Sequence, residues 1–382
     1  SSVRENTAYN GGGLANLDDG VMRLGNVTVS NNSAAHEGGG ITNEEARLEL
    51  NTVNAVGNSS GGDGGGLYSF AGDVTINAGS FRDNTAVSEG GGIENTGRVT
   101  ARIGMMRINR VEISGNTAAI GGGVDNKRDS QMVVESSYIH NNHATQNGGG
   151  LANQSSEAFD PGQMVVNRST IANNTTDGNG GGIFTLRNKT YLRNVTVTEN
   201  TAAGNGGGLA NDGTGRYSVV NATIARNSAN NAGGIYNNAA GNFGIANSIV
   251  ALNTATTSNP DAAGTFTFST YNLIGIVGSA VGFVNGVDGN IVGTSGTPVN
   301  PLLGTLQNNG GPTPTLALLA GSQAIDAGSN TIAAIVGLTT DQRGKPRVKD
   351  GDGNGSAIVD MGAFEVQPSV ALDLVFSGTN LL

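Results

Sequence analysis

Residues 10–16 read NGGGLAN, and the same phrase returns at 147–153 and at 205–211. Triple glycines begin at positions 11, 38, 64, 90, 121, 148, 180 and 206, and a degenerate AGG begins at 232. Most intervals are 26 or 27 residues, and two are stretched to 31 and 32. A second marker keeps step with the first: Asn6, Asn32, Asn58, Asn84, Asn116, Asn142, Asn174, Asn200, Asn227 and Asn253. Two markers sharing a period near 26 residues predict a solenoid.

The residues between the markers decide which solenoid. NVTVSNN, RVEISGN and NVTVTEN alternate apolar with polar residues and are rich in Val, Ile and Thr, a strand signal. Short apolar runs follow the glycines, as in GGGITN and GGGVDN, and a third strand fits at GVMRLGN or TYLRN. No unit carries a helical pattern of 10–15 residues. The expected fold is all-β: a single-stranded parallel β-helix with about 26 residues per coil. Glycine at the corner permits close stacking of successive coils. Asparagine beside it can donate to one coil and accept from the next, so the ten asparagines are expected to form a buried ladder. The stretched intervals place insertions near Thr96–Met106 and Gln154–Gln163.

Composition narrows the role. The 63 glycines cluster, which excludes the regular three-residue period of collagen. A net charge of −10 argues against nucleic acid, which requires a basic stripe. No apolar run is long enough for a membrane span, and cysteine is absent, so no disulfide framework reports the compartment.

The glycine and N-T/S-A phrases over residues 1–255 resemble the chlamydial polymorphic outer-membrane-protein repeat and related bacterial right-handed β-helix proteins. YNLIGIVG (271–278), VNPLLGTLQNNGGPTPTLALLAGSQAIDAGS (299–329), TDQRGKPR (340–347) and VDMGAFE (359–365) resemble the choice-of-anchor Q domain family of bacterial surface proteins. The resemblances imply right-handed coiling and exposure at the cell surface, and they supply no catalytic residues. Residues 1–255 are expected to form the repetitive β-helix, 256–367 its continuation bearing the signature, and 368–382 a terminal strand.

Candidate sites follow from residue type and spacing. In DGDGNG (350–355), Asp350, Asp352 and Asn354 alternate as oxygen ligands of a Ca²⁺ loop do, with Asp360 beyond. Met361 stands where an EF-hand has its bidentate Glu, so a simpler calcium loop and a solvated acidic turn both remain open. Glu37, Asp63 and Glu89 precede successive glycine triplets, and Glu94 and Asp125 lie two residues beyond two of them. Such acids suit a cation, a polysaccharide-cleaving pair, or a solvated edge. His140 and His143 form an H-x-x-H pair off any helix, with no metal expected, and Asn26 and Asn194 begin glycosylation sequons. SSVREN reads as the tail of a repeat. In VALDLVF, Val370, Leu372, Leu374 and Phe376 share one face of a strand. These two features predict an extracellular, non-enzymatic structural subunit that joins end to end with copies of itself, one chain donating its C-terminal strand. A monomeric adhesin or stalk, and a polysaccharide-binding or -cleaving β-helix, are the alternatives.

Overall fold

Each coil begins with the strand that follows the glycines. In the second coil this is Ile41–Glu44, followed by the long strand Arg47–Val56, the two-residue strand Ser59–Ser60 and the next glycine corner at 64–66. The computed structural model describes residues 1–97, 103–155, 162–238 and 243–368. Stacking the coils produces three parallel sheets among the described residues. One holds the long strands; the short strands and the post-glycine strands each form a ten-stranded sheet, one strand per coil. Residues pair with their counterparts one repeat away, as in Leu48↔Val74 and Ile76↔Ile108.

GVMRLGN, expected as a strand of its own, is the first half of the long strand Val21–Ser30, which turns at Asn26 (φ 54°). TYLRN likewise shares its sheet with the strand after it. The third sheet is formed instead by short strands directly after the ladder asparagine, half of them pairs such as Ser33–Ala34 and the longest five residues, as in His143–Asn147. Two residues carry too little alternation to register as a strand. Both insertions fall where a post-glycine strand meets the next long strand, between Thr96 and Met105 and between Gln154 and Gln163.

Inward-facing residues stack in columns. Ile41, Leu67, Ile93, Val124, Leu151, Ile183, Leu209 and Ile235 are fully buried and follow the glycine corners. Truncating one to Ala is expected to cost about 2–5 kcal/mol. Aromatic rings take over in the last coils: Tyr217 stacks on Phe243 at 4.9 Å, Phe266 meets Phe243 at 5.0 Å, and Phe283 follows at 4.6 Å.

The glycine corners are sterically required. Gly11 has φ +62°, and a Cβ on Gly12 would stand 2.4 Å from the Gly39 carbonyl oxygen of the next coil. Packed against this corner run the asparagines: a Cβ on Gly13 would stand 3.0 Å from Asn32 Nδ2. Asn32 through Asn253 are buried, while Asn6 is exposed. A left-handed residue precedes every rung, among them Asn31, Gly57, Asp83 and Leu252, and aims the asparagine inward. Each rung's Nδ2 donates to the next rung's Oδ1, at 2.9 Å for Asn116 to Asn142, and the backbone N–H donates to the same oxygen. The ladder ends on Asp261, which accepts the N–H and Nδ2 of Asn253 at 3.0 and 2.8 Å and the N–H of Ile276 at 2.7 Å. A second buried series runs along the post-glycine sheet, including Asn16 to Asn43 and Asn95 to Asn126 to Asn153, with links of 2.8–2.9 Å.

The continuation expected over 256–367 takes two forms. Coil stacking persists to Ile291–Val292, which pairs with Leu273–Ile274. The last glycine corner (232–234) and the last ladder asparagine, Asn253, precede it, and beyond it prolines at 298, 301, 312, 314 and 346 remove the donors a further sheet needs. The chain then folds back along the flank of the long sheet as a strap. The strap contains an antiparallel hairpin, Leu303–Gln307 with Thr315–Leu318, and one short helix, Asn330–Ile335, capped by Ser329. No described helix is long and apolar enough to cross a membrane. Residues Val370, Leu372, Leu374 and Phe376, expected to mediate assembly, lie outside the described residues.

Candidate functional site

The acidic residues gather on the outer side of the post-glycine sheet. Register places Tyr68, Glu94 and Asp125 side by side on three successive coils. Glu94 and Asp125 are fully buried even though they face away from the apolar core, because neighbouring side chains fold over them. Lys127 Nζ pairs with Glu89 Oε2. Gln154 Nε2 donates to Asp125 Oδ2 at 3.0 Å and to Glu89 Oε1 at 3.4 Å. A solvated edge is therefore not what these two acids occupy. Burial pushes both carboxyls well above their ordinary range, and the like charges of Asp125 and Glu89 add to the effect. Burial alone would lower Lys127, but the surrounding carboxylates outweigh it and raise it. Glu37 and Asp63, further along the column, are raised chiefly by partial burial. Oxygens of Glu89, Glu94 and Asp125 lie within 4.8 Å of one another.

The DGDGNG loop is arranged differently from expectation. Asp350 and Asp352 meet Asp326, not Asp360. Asp326 accepts the N–H groups of Gly351 and Asp352, at 2.9 and 2.8 Å to Oδ2. Asp350 accepts from Gly353, Asn354 and Gly355, and Asn354 Nδ2 donates to Asp352 at 2.9 Å. Asp360 is buried and tied to the N–H groups of Asp326 and Val366 at 2.7 and 2.6 Å, which directs it into the strap and away from the loop.

The signature segments assemble the strap's attachment. Arg347, from TDQRGKPR, is fully buried. It donates to Glu365 Oε2 at 3.1 Å, to Asn194 Oδ1 at 2.6 Å and to the Gly362 carbonyl at 2.9 Å. Burial raises Glu365, which the Arg347 charge opposes. Asp341 receives Arg343 Nε at 2.8 Å and the Glu365 N–H at 3.1 Å. Gln342 reaches Thr170 and Thr313 and accepts from Thr196 at 2.7 Å. The strap thus grips Thr170, Asn194, Thr196, Asn221, Thr223 and Asn247, which successive coils present on the long sheet. Asn194 is fully engaged there and closed to a glycan in the folded state, whereas Asn26 is exposed. Arg347 escaped sequence-based selection because its partner Asn194 is distant in the chain; its place within TDQRGKPR was the available signal.

The H-x-x-H histidines diverge. His140 stacks on Tyr138 at 4.0 Å and lies 3.2 Å from Glu112, while His143 meets Thr175. An open cleft of about 790 Å³ lies between the strap and the earlier coils, lined in part by Arg110, Glu112, Tyr138, Arg168 and Arg343.

Residues 26–44 and 168–186 match the Chlamydia polymorphic membrane protein repeat. Each matched segment spans a ladder asparagine, a glycine corner and the strand after it, so the likeness rests on the elements that close a coil. Comparison with curated proteins and with solved structures gave no match.

Proposed function

We propose that this protein is an extracellular structural rod of a bacterial cell surface. The observation that carries the proposal is the uninterrupted hydrogen-bonded column from Asn6 to Asp261, held from one flank by the strap. Nine coil steps at about 4.8 Å span roughly 43 Å of stiff, cross-linked backbone. Such a column keeps a fixed distance between its ends, a mechanical property suited to a stalk or fibre. The repeat match and the likeness of the signature segments to choice-of-anchor Q proteins support the surface location. Enclosure of Glu94 and Asp125 supports a non-enzymatic role, since a polysaccharide cannot approach them.

Within this proposal the subunits join end to end, with Val370, Leu372, Leu374 and Phe376 forming the donated strand. Negative-stain microscopy of the intact chain should show rods that join into filaments, and deletion of 368–382 should leave single rods. Compact particles would overturn the rod; filaments from the truncated chain would overturn strand donation. Calcium at Asp326, Asp350 and Asp352 fastens the strap's outer loop in the same proposal. Chelation should then lower the melting temperature, and Asp352→Ala should shrink that change; an identical response to chelator in the variant removes the loop site. The cleft with Arg110, Arg168 and Arg343 favours a second role, the binding of acidic polysaccharide. Arg110→Ala should weaken retention on an acidic glycan column, and unchanged retention, or none by either protein, rejects it.

A further inference from the structure

The acids of the fourth and fifth coils present more acceptor capacity than the surrounding donors fill. Both carboxylate oxygens of Glu94 and Oδ1 of Asp125 are buried without a hydrogen-bond partner. Their neighbours are already used: Lys127 is spent on Glu89, and Gln154 on Asp125 Oδ2 and Glu89 Oε1. An unpaired buried carboxylate is strongly unfavourable. A proton shared between Glu94 and Asp125 joins two of the three unpartnered oxygens and leaves the third unmet. With all three ionised, the carboxylates against the single charge of Lys127 carry a local charge of −2.

We propose that Glu89, Glu94 and Asp125 form a structural site for one divalent cation of the calcium class. Every candidate ligand is an oxygen, as a hard cation requires, and neither His nor Cys belongs to the cluster. The mutual oxygen separations, within 4.8 Å, match the span across a shell of Ca–O bonds of about 2.4 Å. One dication neutralises the local charge and meets all three unpartnered oxygens. Turning over the Gln154 amide, whose O and N are assigned from the hydrogen-bond pattern, adds a neutral oxygen ligand. The Glu89–Lys127 pair is the partly exposed side of the cluster, with side chains 15% and 26% accessible, and forms the route of entry. The ion would tie together coils joined across the stretched interval between Thr96 and Met105.

The test uses the full chain carrying Asp352→Ala, which disables the loop of the strap. After chelation, calcium is returned in large excess while melting is followed, and terbium emission is read on tyrosine excitation. The chain has no Trp, and Tyr68 is the register neighbour of Glu94. Calcium should raise the melting temperature, and terbium should emit until calcium displaces it. Glu94→Gln and Asp125→Asn should each abolish both responses. Should either variant fold poorly, Glu89→Gln at the accessible edge should weaken terbium binding at least tenfold. Absence of both responses in the Asp352→Ala protein overturns the site. So do responses that persist undiminished in the cluster variants. Stabilisation of the Glu94→Gln protein together with indifference of its parent to calcium would identify a proton-sharing pair instead.

Discussion

Replacing Asn142 by Ala measures what one rung of the ladder contributes. Asn142 Oδ1 accepts the Asn116 N–H at 3.0 Å and Asn116 Nδ2 at 2.9 Å; Asn142 Nδ2 donates to the Ile113 carbonyl at 3.0 Å and Asn174 Oδ1 at 2.9 Å. Asn174 Oδ1 retains the Asn142 backbone N–H, and Asn116 Nδ2 retains the Phe81 carbonyl. Two buried donor hydrogens are therefore stranded: the Asn116 backbone N–H and one amide hydrogen of Asn116. At about 1–3 kcal/mol each, the expected loss is about 4 kcal/mol. Stacked repeats open locally, so a single global transition would blur this loss. Native-state hydrogen exchange at the Asn116 amide reads it directly, and 4 kcal/mol corresponds to roughly a thousandfold faster exchange. Asn6→Ala, at an exposed rung, should cost below about 1 kcal/mol. Asn142→Asp should be as damaging as Ala, because its second oxygen would face the Ile113 carbonyl and Asn174 Oδ1. An Asn116 amide in the Ala variant that stays within tenfold of wild-type protection would refute the ladder as a source of stability.

Asp261 links the end of the ladder to pH. Burial raises its carboxyl from 3.8 to about 6, against the opposing donors Asn253 and Ile276. The folded state therefore holds the proton more tightly than the unfolded state. The associated stability is fully present below pH 3.8 and is lost as pH rises through about 6, by about 3 kcal/mol in all. The stability difference between wild type and Asp261→Asn should shift across that window and flatten above it; parallel curves would reject the linkage. Arg347→Met should leave Asn194 Oδ1 without a donor and Glu365 without its charge partner, though Glu365 keeps the N–H groups of Lys349 and Asp360, costing about 3–5 kcal/mol. Proteolysis should then release residues 303–367 while the coils remain protected, and an unaltered digestion pattern would show that the strap does not depend on this arginine.

The sequence by itself determined the coil. A steric need repeated at each corner, glycine where a Cβ would strike the next coil's carbonyl, imposes the same residue every 26 positions. The amide ladder does likewise, because each Asn must both donate and accept, so period, strand class and the buried rungs were legible as spacing. Partition of the strands among the sheets was less legible: the turn at Asn26 keeps both halves of the long strand in one sheet, and the two-residue strands are too short to alternate. Contacts that cross the repeat were decided only by the tertiary structure. Arg347 finds Asn194, and Gln342 finds Thr196, through a chain reversal that local pattern does not encode. Enclosure of Glu94 and Asp125 depends on side chains meeting across coils, Lys127 with Glu89 and Gln154 with Asp125, and the end of the ladder on Asp261 depends on Ile276 being carried back to meet it. Local periodicity reports what every coil must repeat; burial of a charged group is set by whichever distant side chains cover it.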